Sequence, residues 1–388
     1  MIRTLKVMLT PNNRQKTRMF QYAGAARYAY NWALETERAN HENGGRFLTD
    51  VDLRRVFTQH KAEPGKGWLF TISNNVTKQA IKDACDAFKR FFQKKASFPR
   101  FKSRKRSRPS FYQDPVKLKF TETHVKLEGF ALSKRRNRQK LNWIRLAEYG
   151  RIPVGVKYYN PRFTFDGLNW WVSVGVEFPD SDASPQGDGI GIDLGLKDLA
   201  ILSDGTIYAN TNKSRKVRKL EKKKRRLQRS ISRSYEKNKK KGKYCKTSHV
   251  TKKEKKLLRI HHRLTGIRTN YAHQITTGIM KREPSFVCME DLNVSGMMRN
   301  RHLSRAVQQQ SFRDFRRIME YKCAWNHIRF ITADRFFPSS KLCCQCGAVK
   351  STLTLRERVY RCECCGNVID RDFQAALNLK AYGETAAA

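Results

Sequence analysis

The sequence predicts a multidomain α/β chain, and three observations carry that reading. Several long segments repeat apolar residues at helical spacing, and short segments around them alternate apolar and polar residues as strands do. The composition, 39% hydrophobic and 11% aromatic, is enough to bury real cores. The length, 388 residues, exceeds what one core normally serves and implies two to three domains.

Charge narrows the class of partner. The chain carries 80 Lys+Arg against 34 Asp+Glu, a formal charge of +46. Self-repulsion on that scale destabilises a compact state unless a polyanion neutralises it, so a large nucleic acid is expected rather than a small metabolite. No apolar run approaches the roughly 18–20 residues of a membrane span, and MIRTLKVMLTPNN lacks the apolar centre of a signal peptide. A cytoplasmic protein without a membrane partner is therefore expected.

Element by element, Ile2, Leu5, Val7 and Leu9 mostly alternate, as in a strand, which Pro11 and Asn12 stop. A helix is expected from about Arg14 to Arg38, with Met19, Tyr22, Ala26, Ala29 and Ala33 on one face, ended by Gly44-Gly45. A second runs from about Asn75 to Lys95, carrying Ala80, Ala84, Phe88 and Phe91. Residues 115–180 turn to strands: VKLKF, HVKLEGFAL, PRFTF and WWVSVGVEF, the last two joined by an Asp166-Gly167 turn. The first half thus reads as a small sheet or barrel with a helical insert.

SDASPQGDG at 181–189 has the composition of a linker. GIGIDLGLKDLAILSDGTIYAN reads as two or three consecutive strands. Residues 211–270 then hold 25 Lys+Arg and 3 acids, with apolar residues such as Val217, Leu220, Ile260 and Leu264 at helical spacing. Two long basic helices joined by a looser segment are expected. SFVCMEDL is a buried-strand pattern, HIRFITADRFF is another strand, and a short helix follows from Phe373.

Ten cysteines are present, and six crowd into residues 343–365, which argues for a metal site in a reducing compartment over a disulfide framework. Cys343-x-x-Cys346 and Cys362-x-x-Cys365 are separated by 15 residues, and a glycine follows each pair. Two such knuckles on facing hairpins offer zinc four thiolates in a tetrahedron. Cys344 and Cys364 are surplus thiols. Redox-active pairs or coincidence are the alternatives.

A second constellation is made of acids. Asp193 ends the apolar strand of GIGID, Glu290 ends that of FVCME, and Asp372 starts the last helix with Asp370 two residues before it. Carboxylates at the ends of buried strands are costly unless paired or metal-bound. Singly, a strand-ending turn, an Arg partner and a helix N-cap would account for them. Together they suit Mg²⁺ or Mn²⁺, which activate water and stabilise the departing oxygen of a phosphodiester. Strand-Asp, strand-Glu, helix-Asp is also the order found in RNase H-like nucleases. Asp372 is preferred to Asp370 as the third ligand, because the first turn of a packed helix holds it, whereas Asp370 lies in the looser connection beside Arg371 and suits either a supporting role behind the ligands or charge pairing.

The chain resembles TnpB, the transposon-encoded RNA-guided DNA endonucleases related to the compact type V CRISPR effectors. The resemblance spans about residues 1–382, through ARYAYNWAL, QAIKDACDAFKRFFQKK, FPRFKSR, GIDLGLKDLA, VCMEDLNVSGM, RDFRRIMEYKCAWN, FPSSKLCCQCG, RCECCG and DRDFQAALNL. Gln374 stands where the family commonly has Asn, and a glycine often found after the EYK helix is replaced around Asn326.

The resemblance implies an RNase H-like (RuvC-type) nuclease domain with an inserted zinc ribbon, and an N-terminal wedge β-barrel, OB-like, with a helical recognition insert. The implied division is 1–12 and 112–180 for the barrel, 13–111 for the helical insert and 181–189 for the linker. The nuclease core would occupy 190–338 with its basic helical insert at 211–283, then the zinc ribbon 339–369, the final helix 370–382 and a frayed tail 383–388. Asp193, Glu290 and Asp372 match the family's catalytic acids, with Mg²⁺ or Mn²⁺ as cofactor and zinc as a structural ion. The partners implied are a guide RNA from the transposon end and double-stranded target DNA with a short flanking motif, in a monomeric ribonucleoprotein of the prokaryotic cytosol or nucleoid.

Three further basic stretches fit such partners: 94–108, 134–140 and 313–317. Phe98, Phe101, Phe111 and Tyr112 put aromatics around the first, a mixture suited to stacking on unpaired bases. Competing readings are a guided repressor that has lost cleavage, a protein-only nuclease or transposase, and a ribosome-associated zinc-ribbon protein. Three intact acid positions argue against the first, and strand-end acids are unexplained by the last.

Overall fold

The chain divides into two units, Met1–Pro179 and Asp180–Ala388. The structure is a computed structural model that describes residues 1–130, 140–180, 185–240, 242–354 and 357–387. Of the expected basic stretch 134–140, only Lys140 lies among the described residues, and residues 181–184 of the expected linker lie outside them.

In the first unit, strand β1 (Ile2–Leu9) runs into helix α1 (Asn13–Glu42), followed by α2 (Asp50–Ala62) and α3 (Asn74–Phe92). A reciprocal cap starts α1: Asn12 Oδ1 accepts from the Gln15 N–H, and Gln15 Oε1 from the Asn12 N–H, both at 2.9 Å. The sequence reading passed over α2, although Thr49 and Asp52 form the same kind of cap and Leu53 and Phe57 are buried one turn apart. Strands β2 (Ser110–Tyr112), β3 (Lys119–Phe120), β4 (His124–Lys126), β5 (Trp143–Arg145), β6 (Tyr158–Phe165) and β7 (Trp170–Glu177) complete the unit. They form an antiparallel sheet in the order β1-β7-β6-β2 and a second in the order β3-β4-β5. A bridge between Leu9 and Leu146 connects the two.

Tyr22, Phe111, Phe130, Phe163 and Trp170 fill the core beneath α1. Phe111 is 2% exposed and belongs to that core, so it is removed from the aromatics available for stacking, whereas Phe98 and Phe101 are 43% and 46% exposed. Ile2 is exposed because its even position turns it to the face opposite Leu5, Val7 and Leu9, which point to the core. Among the described residues the expected strand HVKLEGFAL is paired over His124–Lys126, and Gly129, at φ +72°, turns the chain away from the sheet; the last two residues of that expected strand lie outside the described ones.

The second unit is built on β8 (Ile190–Leu194), β9 (Asp198–Leu202) and β10 (Ile207–Ala209), the basic helix α4 (Arg215–Lys237), and a short hairpin of β11 (Lys239–Lys240) and β12 (Lys243–Tyr244). Then come α5 (Ser248–Met280), β13 (Phe286–Glu290), α6 (Val294–Arg299), α7 (Ser304–Gln310), α8 (Phe312–Trp325) and β14 (Arg329–Ala333). A hairpin of β15 (Val359–Arg361) and β16 (Val368–Asp370) leads into the last helix, α9 (Arg371–Ala387). The central sheet has the order β10-β9-β8-β13-β14, with β8, β13 and β14 parallel and β9 and β10 antiparallel to their neighbours.

Both faces of this sheet are buried, and strand alternation divides them. Ile190, Ile192, Val287 and Met289 join Ala272, Ile275 and Ile279 of α5 and Phe312, Phe315 and Met319 of α8. Phe286 and Cys288 point the other way, to a cluster containing Leu379 of α9. Helix α9 lies very close to β8: a Cβ on Gly191 would fall 2.1 Å from the Ala376 carbonyl oxygen and 2.4 Å from the Lys380 nitrogen. Glycine in GIGID is therefore required by packing.

The segment expected to fray, 383–388, is helical through Ala387. Gly383 sits against Phe286 and Cys288, and the Arg329 guanidinium donates to the Ala386 and Ala387 carbonyls, which anchors the last turn. After α8, Asn326 has an ordinary φ of −112°, and it is His327 that takes the left-handed conformation, φ +55°.

Candidate active site and metal centre

The parity that buries Ile190 and Ile192 on one face turns Gly191 and Asp193 to the other, where α9 lies. Parity in FVCME likewise puts Glu290 with Phe286 and Cys288, on the same α9 face. Strand register completes the pairing. Val287, Cys288 and Met289 lie opposite Ile190, Gly191 and Ile192, so the next rung places Glu290 beside Asp193 at the C-terminal end of two parallel strands. Asp372 enters from the first turn of α9.

The electrostatics report this convergence. Burial pushes the Asp193 carboxyl well above the usual range, and Glu290, Asp372 and Asp370 push it further, with Arg371 opposing. Burial also raises Glu290, partly offset by a hydrogen bond that the Ser339 hydroxyl donates to Oε1. Asp372 accepts from Arg371 at 3.0 and 3.2 Å, and Arg358 lies 3.4 Å from its other oxygen. Hard oxygen donors brought together at a buried strand end, with Asp193 feeling the charge of its acidic neighbours, are of the chemistry that suits a divalent cation of the Mg²⁺ or Mn²⁺ type.

Neighbouring acids have other partners. Asp291 pairs with Arg316 at 2.6 Å and with Arg335, so of the two acids in MEDL only Glu290 faces the cluster. Of the two roles expected for Asp370, the charge pairing with Arg371 is not made, because Arg371 goes to Asp372. Instead Asp370 Oδ1 accepts the N–H groups of Asp372 and Phe373 at 3.0 and 3.1 Å, capping α9. The helix begins at Arg371, so the connection that holds Asp370 ends in a capped helix start rather than a loose segment. Gln374, the position that departs from the family pattern, is fully buried with neither side-chain polar atom hydrogen-bonded.

The sulfur atoms of Cys343, Cys346, Cys362 and Cys365 all lie within 4.8 Å of one another. Among the described residues this is the group of three or more metal-ligating side chains drawn that tightly together. The Cys343–Cys365 and Cys346–Cys362 separations are 3.6 and 3.5 Å. These approach the S···S edge of about 3.8 Å in a tetrahedron with Zn–S bonds of about 2.3 Å. Two like turns build the cluster. Gly347 and Gly366 have φ +73° and +75°, and their N–H groups bond the carbonyls of Cys343 and Cys362. Burial works against the Cys343 thiolate, yet the N–H groups of Cys346 and Gln345 outweigh it and bring the thiol down to about 6. Cys344 is instead approached by Asn367 Nδ2 at 3.7 Å.

Ser339 and Asn378 are polar residues that sequence reasoning missed. Each is buried, and the signal that could have found them is their place in two of the motifs that carry the resemblance, FPSSKLCCQCG and DRDFQAALNL. In the first unit, Arg38 lies over Phe98 and Phe101, with its guanidinium carbon 5.1 and 4.8 Å from the ring centroids. A basic surface with accessible rings results.

Family models match three parts of the chain: "Helix-turn-helix domain" over residues 1–46, "Probable transposase" over 172–301 and "Cas12f1-like, TNB domain" over 312–379. A Streptomyces pristinaespiralis protein named "Putative RNA-guided DNA endonuclease" is 32% identical over 387 residues, covering 100% of this chain and 90% of that protein. An Escherichia coli K12 protein named "Putative RNA-guided DNA endonuclease InsQ" is 28% identical over 398 residues, 98% of this chain and 92% of its own. Among solved structures, a Cas12f1–sgRNA–target DNA complex covers 98% of this chain and 99% of its own at 15% identity, with a TM-score of 0.36, a likeness too low to inform the site.

Proposed function

Because this chain belongs to the TnpB family of transposon-encoded RNA-guided DNA endonucleases, we propose that it cleaves DNA selected by base pairing with a bound guide RNA, using Asp193, Glu290 and Asp372. The observation that carries the reading is the register that sets Glu290 beside Asp193 on the face covered by α9, whose first turn brings Asp372. The sheet order, with the three antiparallel strands β8–β10 followed by β13 and β14 added in parallel, supports an RNase H-like (RuvC-type) fold for the second unit.

A divalent cation held by the three acids would supply Lewis-acid activation of water and stabilise the leaving oxygen. The chain's own residues do the rest. Strands β8 and β13 fix two carboxylates side by side, the Asp370 cap holds the first turn of α9, and Arg371 orients Asp372 while offsetting part of the local negative charge. The four cysteines would hold a structural zinc within a ribbon at 339–369. The two sheets of the first unit serve as the wedge barrel, at 1–12 and from β2, which starts at Ser110 rather than at 112, to 180, and α1–α3 as its recognition insert between them. The basic helices within 211–283 and the charge of +46 face the phosphates of guide and target.

This activity would operate in the prokaryotic cytosol or nucleoid; no described helix is long and apolar enough to cross a membrane. Reconstitution with RNA transcribed from the element's end tests the reading. Specific cleavage should require that RNA and Mg²⁺ or Mn²⁺, and RNA affinity should fall steeply with salt. Sequence-specific cleavage by protein free of nucleic acid would refute guidance.

A further inference from the structure

Two buried polar side chains connect the cysteine cluster, α9 and Glu290. Ser339 is 4% exposed and its Oγ donates to Glu290 Oε1. Asn378 of α9 is 2% exposed and donates from Nδ2 to the Ser339 carbonyl at 2.7 Å and to the Leu342 carbonyl at 2.6 Å. Leu342 directly precedes Cys343, the first ligand of the cluster. The intervening turn is closed by the N–H groups of Lys341 and Leu342, both bonded to the Pro338 carbonyl at 2.9 Å.

From this geometry we propose that Ser339 and Asn378 act as positioning residues, forming a clamp that sets the Glu290 carboxylate for metal binding and links the zinc ribbon to the active site. The inference rests on the reading of Glu290 as a metal ligand. A carboxylate has two oxygens, and fixing Oε1 through a buried hydroxyl restricts rotation and leaves Oε2 to face Asp193 and the cation. The hydroxyl is itself fixed, because Asn378 spends both amide protons on the carbonyls flanking the turn that carries Ser339. Asn378 and Asp372 lie on the same helix, so one rigid element sets the third acid directly and Glu290 through Ser339. Loss of the cysteine cluster would loosen the turn at Leu342 and then this chain of contacts.

The substitutions Ser339→Thr and Ser339→Val differ in a hydroxyl against a methyl, so both carry the same packing change. Each full-length protein, bound to guide RNA, is titrated with Mn²⁺ and free ion is counted by electron paramagnetic resonance, with zinc measured by elemental analysis. S339T is expected to bind Mn²⁺ as the unaltered protein does. S339V should bind it about tenfold more weakly, the lower end of what losing a hydrogen bond to a metal ligand costs. Both should keep their zinc, and the Mg²⁺ concentration for half-maximal cleavage should shift by the same factor. Equal Mn²⁺ affinity in the two variants overturns the clamp. Glu290→Ala run in parallel separates the two claims: full cleavage by E290A refutes the active-site reading, whereas an inactive E290A beside equal S339T and S339V refutes the clamp alone.

Discussion

The cysteine and carboxylate clusters of the second unit are assembled over different lengths of chain. The four cysteines lie within residues 343–365, on two short turns that repeat one geometry, and their sulfurs already sit at near-tetrahedral spacing. The three acids lie between residues 193 and 372 and meet only when β8 and β13 pair in register and α9 closes over them. Among the described residues their oxygens do not reach the compactness of the sulfur group. Local turns therefore suffice for one cluster, whereas the other depends on tertiary packing. Substitutions that disturb packing should harm the carboxylates and spare the sulfurs.

The largest contrast is expected at the first turn of α9. Asp372→Asn should lower guided cleavage by about 10²–10³-fold, the scale on which single electrostatic groups act in active sites. Asp370→Asn should remain within about twofold, because Asn caps a helix as well as Asp does. Cleavage assays at saturating Mg²⁺ with both variants decide the ranking, and a reversal would move the third ligand by two residues.

Gly191→Ala is next. Its Cβ would meet backbone atoms of α9 that cannot swing aside, so the helix must shift. The expected outcome is a stability loss of about 1–3 kcal/mol in urea denaturation, with cleavage impaired and zinc content unchanged. Loss of zinc from G191A would show that the two clusters are less separable than their construction suggests.

Cys362→Ser inverts that test. Zinc should be lost on elemental analysis, and cleavage should fall about tenfold through the turn at Leu342 and its bonds to Asn378. Zinc retention would reject the four-cysteine assignment.

The smallest effect is expected at His327. Its φ of +55° favours glycine, so His327→Gly should stabilise the second unit by about 1 kcal/mol without altering cleavage or zinc content. Unchanged stability in urea would mean that the His327 side chain offsets the backbone cost.

The same division explains what was legible in the sequence. The paired CxxC motifs with following glycines announced their turns, because every determinant is local and both glycines do adopt left-handed backbone. Helices α1, α3, α4 and α5 were visible from apolar spacing, and their ends differ from expectation by a few residues. Asp193 and Glu290 could be placed at the ends of apolar strands, but their adjacency depends on a parallel pairing across an insert of two long helices, which no local pattern specifies. The close approach at Gly191 was equally hidden, since a glycine in a strand does not say what lies against it. The final helix was expected at the right place, but the cap that Asp370 makes to it was not, because the sequence does not say which way that side chain turns. Phe111 looked like its aromatic neighbours in sequence, yet strand pairing with β6 turns it into the core.

The central claim is that two register-paired carboxylates and one from α9 perform the cleavage, while the basic surfaces supply affinity. The most direct measurement pairs cleavage and binding for Asp193→Ala in the guide-RNA complex, with target DNA affinity taken from filter binding at fixed salt. The account predicts undetectable cleavage with an affinity within about threefold of the unaltered complex, because phosphate contacts by Lys and Arg supply most of the binding. Undiminished cleavage by D193A, at equal affinity, would contradict it.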